Sequence, residues 1–211
     1  MIKLVAFDLW NTLACKRFQS LDKIRQVTGT RIPHDQFVKV FESSVQLKRW
    51  RSKRKAYRNL LRNMGLRPTE SLVKDIRIIR EDSASSITVL DHSIPMLKEI
   101  RKKGIALGLI TNSSVFSVRR LQHQSDLLDY FDHRQFSYDI GRIKPDPIVF
   151  IRMMKKAKVS PEEVLMIGDN YTDDVLPARS LGMHAIHFRG KKQLNTDLRK
   201  LNIRLRSLSD Q

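Results

Sequence analysis

The strongest constraint on how this chain folds is an alternation. From about residue 88 onward, short apolar runs alternate with helical patterns, and the runs stop abruptly at polar residues. Ile105–Ile110 ends in Thr111-Asn112, Val164–Ile167 ends in Gly168-Asp169, and His184–Phe188 closes the series. Helical spacing covers Ser93–Lys103, Ser114–Gln124, Ile148–Ala157 and Asp174–Leu181. A short strand near Arg134–Tyr138 leads into Gly141-Arg-Ile-Lys-Pro-Asp-Pro147. Strands that alternate with helices build a parallel sheet covered on both faces. Ile2–Phe7 is one more run of this kind, and it ends at Asp8. The expected fold class is α/β with a doubly wound parallel sheet. In such sheets ligands bind at the carboxyl ends of the strands. Asp8, Thr111, Lys144 and Asp169 are therefore expected to meet along one edge.

The stretch from about 18 to 85 reads differently. Ser20 can cap a first helix that Gly29 stops. One long helical pattern runs from Asp35 through Phe37, Phe41, Trp50, Tyr57 and Leu60 to Met64, and Gly65 ends it. Pro68-Thr-Glu opens a third helix carrying Leu72, Val73, Ile76 and Ile79. No strand pattern interrupts these helices. The expected division is an α/β catalytic core of residues 1–15 and 88–211, with an α-helical cap domain of residues 16–87. The tail after Gly190 is basic and is expected to pack loosely, with Ile203–Leu208 docking on an edge.

Charge is the outlying feature of the composition. The 211 residues hold 40 Lys and Arg against 22 Asp and Glu, a net charge of +18. Residues 16–82 alone hold 18 basic against 7 acidic side chains. A basic chain suits an anionic substrate or a nucleic-acid partner. Arg49, Arg51, Lys53, Arg54, Lys55 and Arg58 crowd around Trp50 and Tyr57. That cluster reads either as a phosphate-binding surface or as the solvated face of a helix whose aromatics are buried. No run approaches the roughly 18–20 apolar residues of a membrane span. The apolar N-terminal stretch is too short for a signal segment, so the expected address is cytoplasmic. Cys15 is the single cysteine, which excludes an internal disulfide.

The strand-end residues define a chemistry. A carboxylate such as Asp8 can attack phosphorus and form an aspartyl-phosphate that water then clears. A phosphoryl dianion repels a carboxylate, so cations must bridge the two. Mg²⁺ prefers oxygen ligands, and Asp8 and Asp169 offer two carboxylates. Lys144 would pair with Asp8 and neutralise phosphoryl oxygens, and the Thr111 hydroxyl would hold the same oxygens. Thr12 and Asn112 are expected beside the substrate, with Thr12 mainly holding its loop. Asp173 or Asp174 would support the metal from behind, and the spacing does not choose between them.

Taken in order, these segments resemble the haloacid dehalogenase (HAD) superfamily. Phe7-Asp8-Leu-Trp-Asn-Thr12 is similar to its first motif and Ile110-Thr111-Asn112 to its second. Lys144-Pro-Asp-Pro147 is similar to the third, and Ile167-Gly-Asp-Asn-Tyr-Thr-Asp-Asp174 to the fourth. The resemblance implies a Rossmann-like core, a cap inserted after the first motif, and the backbone carbonyl of Trp10 as a further Mg²⁺ ligand. It also exposes a departure. The family's phosphatases usually carry an acid/base Asp two residues after the nucleophile, and this chain has Trp10 there. An indole N–H has no useful acidity. Four explanations stand: a cap residue (His34, Tyr57 or a Lys) supplies the proton, the leaving group is a good one, the leaving group is a halide, or the protein binds more than it catalyses. Haloacid dehalogenases generally lack the acidic fourth motif, so Asp169 favours a metal site. The expected function is a Mg²⁺-dependent phosphatase acting through Asp8 on a small phosphorylated substrate. The alternatives are a binding protein for an anionic ligand or nucleic acid, and a 2-haloacid dehalogenase-like hydrolase.

Overall fold

The computed structural model describes residues 1–18 and 20–208. In chain order the elements begin with β1 (Leu4–Phe7), β2 (Ala14–Lys16), α1 (Ser20–Thr28), α2 (His34–Val45), α3 (Lys53–Asn63), α4 (Glu70–Ser85) and β3 (Ile87–Val89). They continue with α5 (Ser93–Lys102), β4 (Ala106–Thr111), α6 (Val115–Gln124), β5 (His133–Phe136), α7 (Ser137–Ile140) and α8 (Pro147–Ala157). Then come β6 (Val164–Gly168), α9 (Leu176–Ser180), β7 (His184–His187) and α10 (Lys191–Lys200).

Five strands form one parallel sheet in the order β5-β4-β1-β6-β7. The central strand explains the layering. Leu4, Val5, Ala6 and Phe7 are all fully buried, and alternate side chains point to opposite faces. Leu4 and Ala6 join Val149, Phe150 and Met153 of α8 on one face. Val5 and Phe7 join Met96, Leu97 and Ile100 of α5 on the other. From β1 the chain moves out through β4 to β5, then crosses back to β6 and β7. The strand order thus switches direction at β1, so Asp8 lies where a doubly wound sheet opens its crevice.

The helices α1–α4 lie between the sheet's first two strands in sequence and gather around a cluster of their own. Ile24, Phe37, Phe41, Tyr57, Leu60, Leu61 and Ile76 are its buried centre. The antiparallel pair β2–β3 forms the stem of this insert, with Cys15 opposite Thr88. The long pattern expected from Asp35 to Met64 is two helices. α2 ends at Val45, and the Ser52 hydroxyl starts α3 afresh by accepting the Lys55 N–H. Apolar spacing runs across the break because both helices face the same cluster. The sequence reading also missed the stem strands, which are three residues each and too short to show a period.

The tail is more ordered than expected. α10 buries Leu194 and Leu198, and Ile203, Leu205 and Leu208 join the core on the α5 face. Two leucines one turn apart anchor a helix otherwise made of charged and polar residues. The basic cluster is largely paired within the protein. Arg54 and Arg58 share Glu70, Lys53 meets Glu81, and Arg49 meets Asp139. No described helix is long and apolar enough to cross a membrane.

The insert's cluster predicts a measurable stability. Phe37→Ala removes a fully buried ring and should cost about 3–5 kcal/mol in urea unfolding. A loss below about 1 kcal/mol would mean that the four helices do not form a packed core.

Candidate active site

Asp8 is the first residue past β1, and its N–H donates to the Ile167 carbonyl at 2.9 Å, continuing the pairing with β6. Its carboxylate turns inward and is buried. Lys144 Nζ lies 2.6 Å from Asp8 Oδ1 and 2.5 Å from Asp174 Oδ1. All three side chains are buried. One ammonium therefore holds two carboxylates apart in a low-dielectric setting, where such bonds are strong and unpaired charges costly. Burial alone would lower the Lys144 ammonium; Asp174 and Asp8 reverse this and hold it above its ordinary range. Burial pushes the Asp8 carboxyl up to about 7, with Asp174 and Asp169 adding to the rise and Lys144 opposing it. Lys144 thus stays a cation at neutral pH, and the excess negative charge falls on the acids.

The backbone holds this arrangement closely. The Asn112 amide clamps the loop that carries Lys144: its Oδ1 accepts the Lys144 N–H at 2.8 Å and its Nδ2 donates to the Lys144 carbonyl at 3.1 Å. Asp146 and Pro147 begin α8 at once, with the Asp146 side chain accepting the Ile148 N–H. Asp174 Oδ2 accepts the Asn170 N–H at 3.1 Å. Gly168 has to be glycine, because a Cβ there would collide with the Asp174 carboxylate.

Asp169, half-exposed at the same edge, completes an acidic group. Carboxylate oxygens of Asp8, Asp169 and Asp174 all lie within 4.8 Å of one another. With all three carboxylates ionised, the group with its one ammonium would carry a formal charge of −2, and every candidate ligand atom is a hard oxygen. That set fits a divalent cation of the Mg²⁺ kind. Asn11, held in the left-handed region at φ 59°, donates to Asp169 Oδ2 at 3.2 Å. His187 Nε2 donates to the Asp169 carbonyl at 2.8 Å, which places its ring proton on Nε2. Neither contact shows in the sequence, because both partners are distant along the chain. Between the two acids the sequence left open, Asp174 faces the centre, and Asp173 turns aside to accept the Asn170 amide at 2.7 Å.

Asp8, Trp10, Asn11, Asn112, Lys144, Asp169, Asp173 and Asp174 line one cavity. Thr12 and Thr111, chain neighbours of the lining residues Asn11 and Asn112, are buried, and neither hydroxyl has a protein partner among the described residues. The Trp10 indole N–H donates to Ser113 Oγ at 3.1 Å, so the side chain anchors the turn. The proton donors suggested by the sequence do not reach this cavity. His34 is paired with Asp22 on the surface, and Tyr57 is buried in the insert's own core. The insert residue that does line it is Glu42 of α2. Burial raises its carboxyl to about 7; Asp173 adds to the rise, and the Asn112 amide and Lys144 oppose it. The sequence offered one signal for Glu42, an acid on the buried face of a helix next to Phe41.

Residues 2–182 match the haloacid dehalogenase-like hydrolase family. The chain belongs to that family. It is 29% identical over 136 residues to a glyceraldehyde 3-phosphate phosphatase of Methanopyrus kandleri, which is 64% of this chain and 58% of that protein. The chain spans about half the length of the curated relatives it matches. A HAD phosphatase from Thermococcus onnurineus superimposes over 97% of this chain and 100% of its own, with a TM-score of 0.61 and 24% identity. A HAD enzyme from Bacteroides thetaiotaomicron, solved with magnesium and inorganic phosphate, covers 88% of this chain and 93% of its own at TM-score 0.66 and 19% identity. These two structures share the HAD fold with this chain.

Two outcomes follow from the HAD site as built here. Lys144→Met leaves Asp8 and Asp174 buried without their cation, and urea unfolding at neutral pH should show a loss of about 3–5 kcal/mol. A loss within about 0.5 kcal/mol would contradict the pairing. For Glu42, the folded carboxyl binds its proton more tightly than the unfolded one. Its contribution to stability is full below about 4.5 and is lost as pH rises through about 7. In melting curves recorded with EDTA, Glu42→Gln should therefore gain on the parent protein between pH 5 and pH 8. A constant difference between the two would show that Glu42 does not titrate in this range.

Proposed function

We propose that this HAD protein is a Mg²⁺-dependent phosphatase that acts on small phosphorylated molecules through Asp8. The observation that carries the reading is the Asp8–Lys144–Asp174 arrangement with Asp169 beside it, at the crevice of a HAD sheet. An Asp8 oxygen attacks phosphorus as the bond to the ester oxygen breaks. Water then attacks the aspartyl-phosphate, releasing phosphate and restoring Asp8. Lys144 Nζ stays between Asp8 and Asp174 and offers its charge to the phosphoryl oxygens. The partnerless Thr111 hydroxyl is a donor for those oxygens, Asn112 keeps Lys144 in place, and Thr12 holds the nucleophile loop. Asp8, Asp169 and the Trp10 carbonyl would hold Mg²⁺, which when bound neutralises phosphoryl charge and lets a carboxylate approach. Asp174 fixes Lys144, and Asp173 orders the Asn170 turn.

In this reading residues 16–87 act as a cap over a core formed by residues 1–15 and 88–211. Glu42 is the cap's contribution to the chemistry, taking over proton donation to the leaving oxygen from the position that Trp10 occupies. Its raised pKa suits a carboxyl that must carry a proton near neutral pH.

Phosphate release from p-nitrophenyl phosphate and from glycerol 3-phosphate tests both parts. Activity should require Mg²⁺, stop with EDTA, and vanish in Asp8→Asn. Equal activity in Asp8→Asn would overturn the nucleophile assignment. Glu42→Gln should depress turnover of the alkyl ester by about 10²–10⁴-fold, and that of the aryl ester, whose leaving group needs little protonation, by far less. Equal losses on the two esters would remove Glu42 as the proton donor.

A further inference from the structure

A second cavity of about 160 Å³ lies between the cap and the sheet, and it shares Trp10, Asn11, Glu42 and Asn112 with the nucleophile's cavity. At roughly 30 Å³ per water in the liquid, it has room for a leaving group of a few carbon atoms. Two cations enter it from different elements, Lys16 from the stem strand β2 and Arg80 from the end of α4.

Their partners are neutral. Lys16 Nζ is 3.4 Å from Ser117 Oγ and stands over the Trp10 ring, 3.9 Å from its centre. Arg80 donates to Ser20 Oγ at 2.6 Å and to Ser117 Oγ at 3.2 Å, and lies over Phe41 at 5.0 Å. Among the described residues, neither has a carboxylate within ion-pair distance. The contrast with the surface is informative, since Lys53, Arg54 and Arg58 all have acids while these two inward cations do not. Glu42 is the one carboxylate lining the cavity, and its electrostatic neighbours are Asp173 and Lys144 at the nucleophile's end. Burial, then the nearby Arg80, pushes the Lys16 ammonium well below its ordinary range. Burial likewise lowers Arg80. Two basic side chains bridged by one serine form a site without an acidic partner, which an anion entering the cavity would supply.

We propose that Lys16 and Arg80 bind a second anionic group on the substrate, a carboxylate or a second phosphate. The substrate is then a phosphate monoester whose alcohol half is itself negatively charged. This rests on the phosphatase reading, which supplies the phosphoryl group at Asp8. Arg80 presents a planar fork suited to two oxygens of the anion, and Lys16 adds a point charge from the other side. The Trp10 side chain gains a role here as the platform under Lys16. The tryptophan that displaces the usual acid thus belongs to the pocket that selects the leaving group.

The test compares 3-phosphoglycerate with glycerol 3-phosphate, which differ by a carboxylate in place of a hydroxymethyl group. A third substrate, 1,3-propanediol bisphosphate, carries a second phosphate. The kcat/KM ratio of a charged substrate to glycerol 3-phosphate should be roughly tenfold or more in the parent protein. Preference for 3-phosphoglycerate assigns a carboxylate to the pocket, and preference for the bisphosphate assigns a phosphate. Lys16→Met should collapse the ratio towards one, while Arg80→Lys, which keeps the charge, should retain part of it. A parent ratio near one for both charged substrates would overturn the proposal, as would an unchanged ratio in Lys16→Met protein with a normal melting curve. If no ester is hydrolysed, the phosphatase reading fails on its own. Calorimetric binding of the same three compounds to Asp8→Asn protein with Mg²⁺ then decides the pocket, and equal affinities would overturn it.

Discussion

Much of this structure depends on one buried ammonium. Lys144 sits within hydrogen-bonding distance of two carboxylates that would otherwise repel each other inside the protein. Around it, Asn112 fixes the loop, Gly168 leaves space for Asp174, and Asp146 begins a helix two residues later. Each of these is an arrangement of backbone. The sheet supplies it by ending β1, β4 and β6 side by side, so residues more than a hundred positions apart along the chain share one edge.

The balance of charge at that edge is what the metal proposal rests on. Lys144 can satisfy Asp8 and Asp174 but not Asp169 as well. An acidic edge lined by oxygen and partly open to solvent is the kind of setting that the proposed divalent ion and phosphoryl group would need. The neighbouring cavity has the opposite imbalance, with cations in excess. A substrate lying across both would be drawn at its two ends by different means.

The core of the fold was legible in the sequence because buried parallel strands are continuous apolar runs with abrupt ends, and each end was visible as Asp8, Thr111 or Asp169. The meeting of Asp8, Lys144 and Asp169 at one edge was legible for the same reason. What the sequence hid depends on tertiary contact. The break between α2 and α3 does not disturb apolar spacing, since both helices face one cluster. The β2–β3 stem is too short for a period. α10 shows only Leu194 and Leu198 against a charged background. Glu42, Lys16 and Arg80 look like ordinary charged residues in a basic chain, and only the closing of the insert over the sheet gathers them. Asn112 lines the nucleophile's cavity, and the clamp of its amide on the Lys144 backbone is a tertiary contact that no spacing reveals.

The β2–β3 stem has a consequence of its own. Because Lys16 pairs with Ile87, the chain leaves the sheet and returns to it at neighbouring points, about seventy residues apart in sequence. The sheet therefore carries no record of the length or form of what is inserted there. The pairing of β1 with β4 and β6, which sets the edge where Asp8 stands, involves no residue beyond the stem. Lys16 stands at that boundary, the last residue of β2 and a lining residue of the cavity beneath the insert.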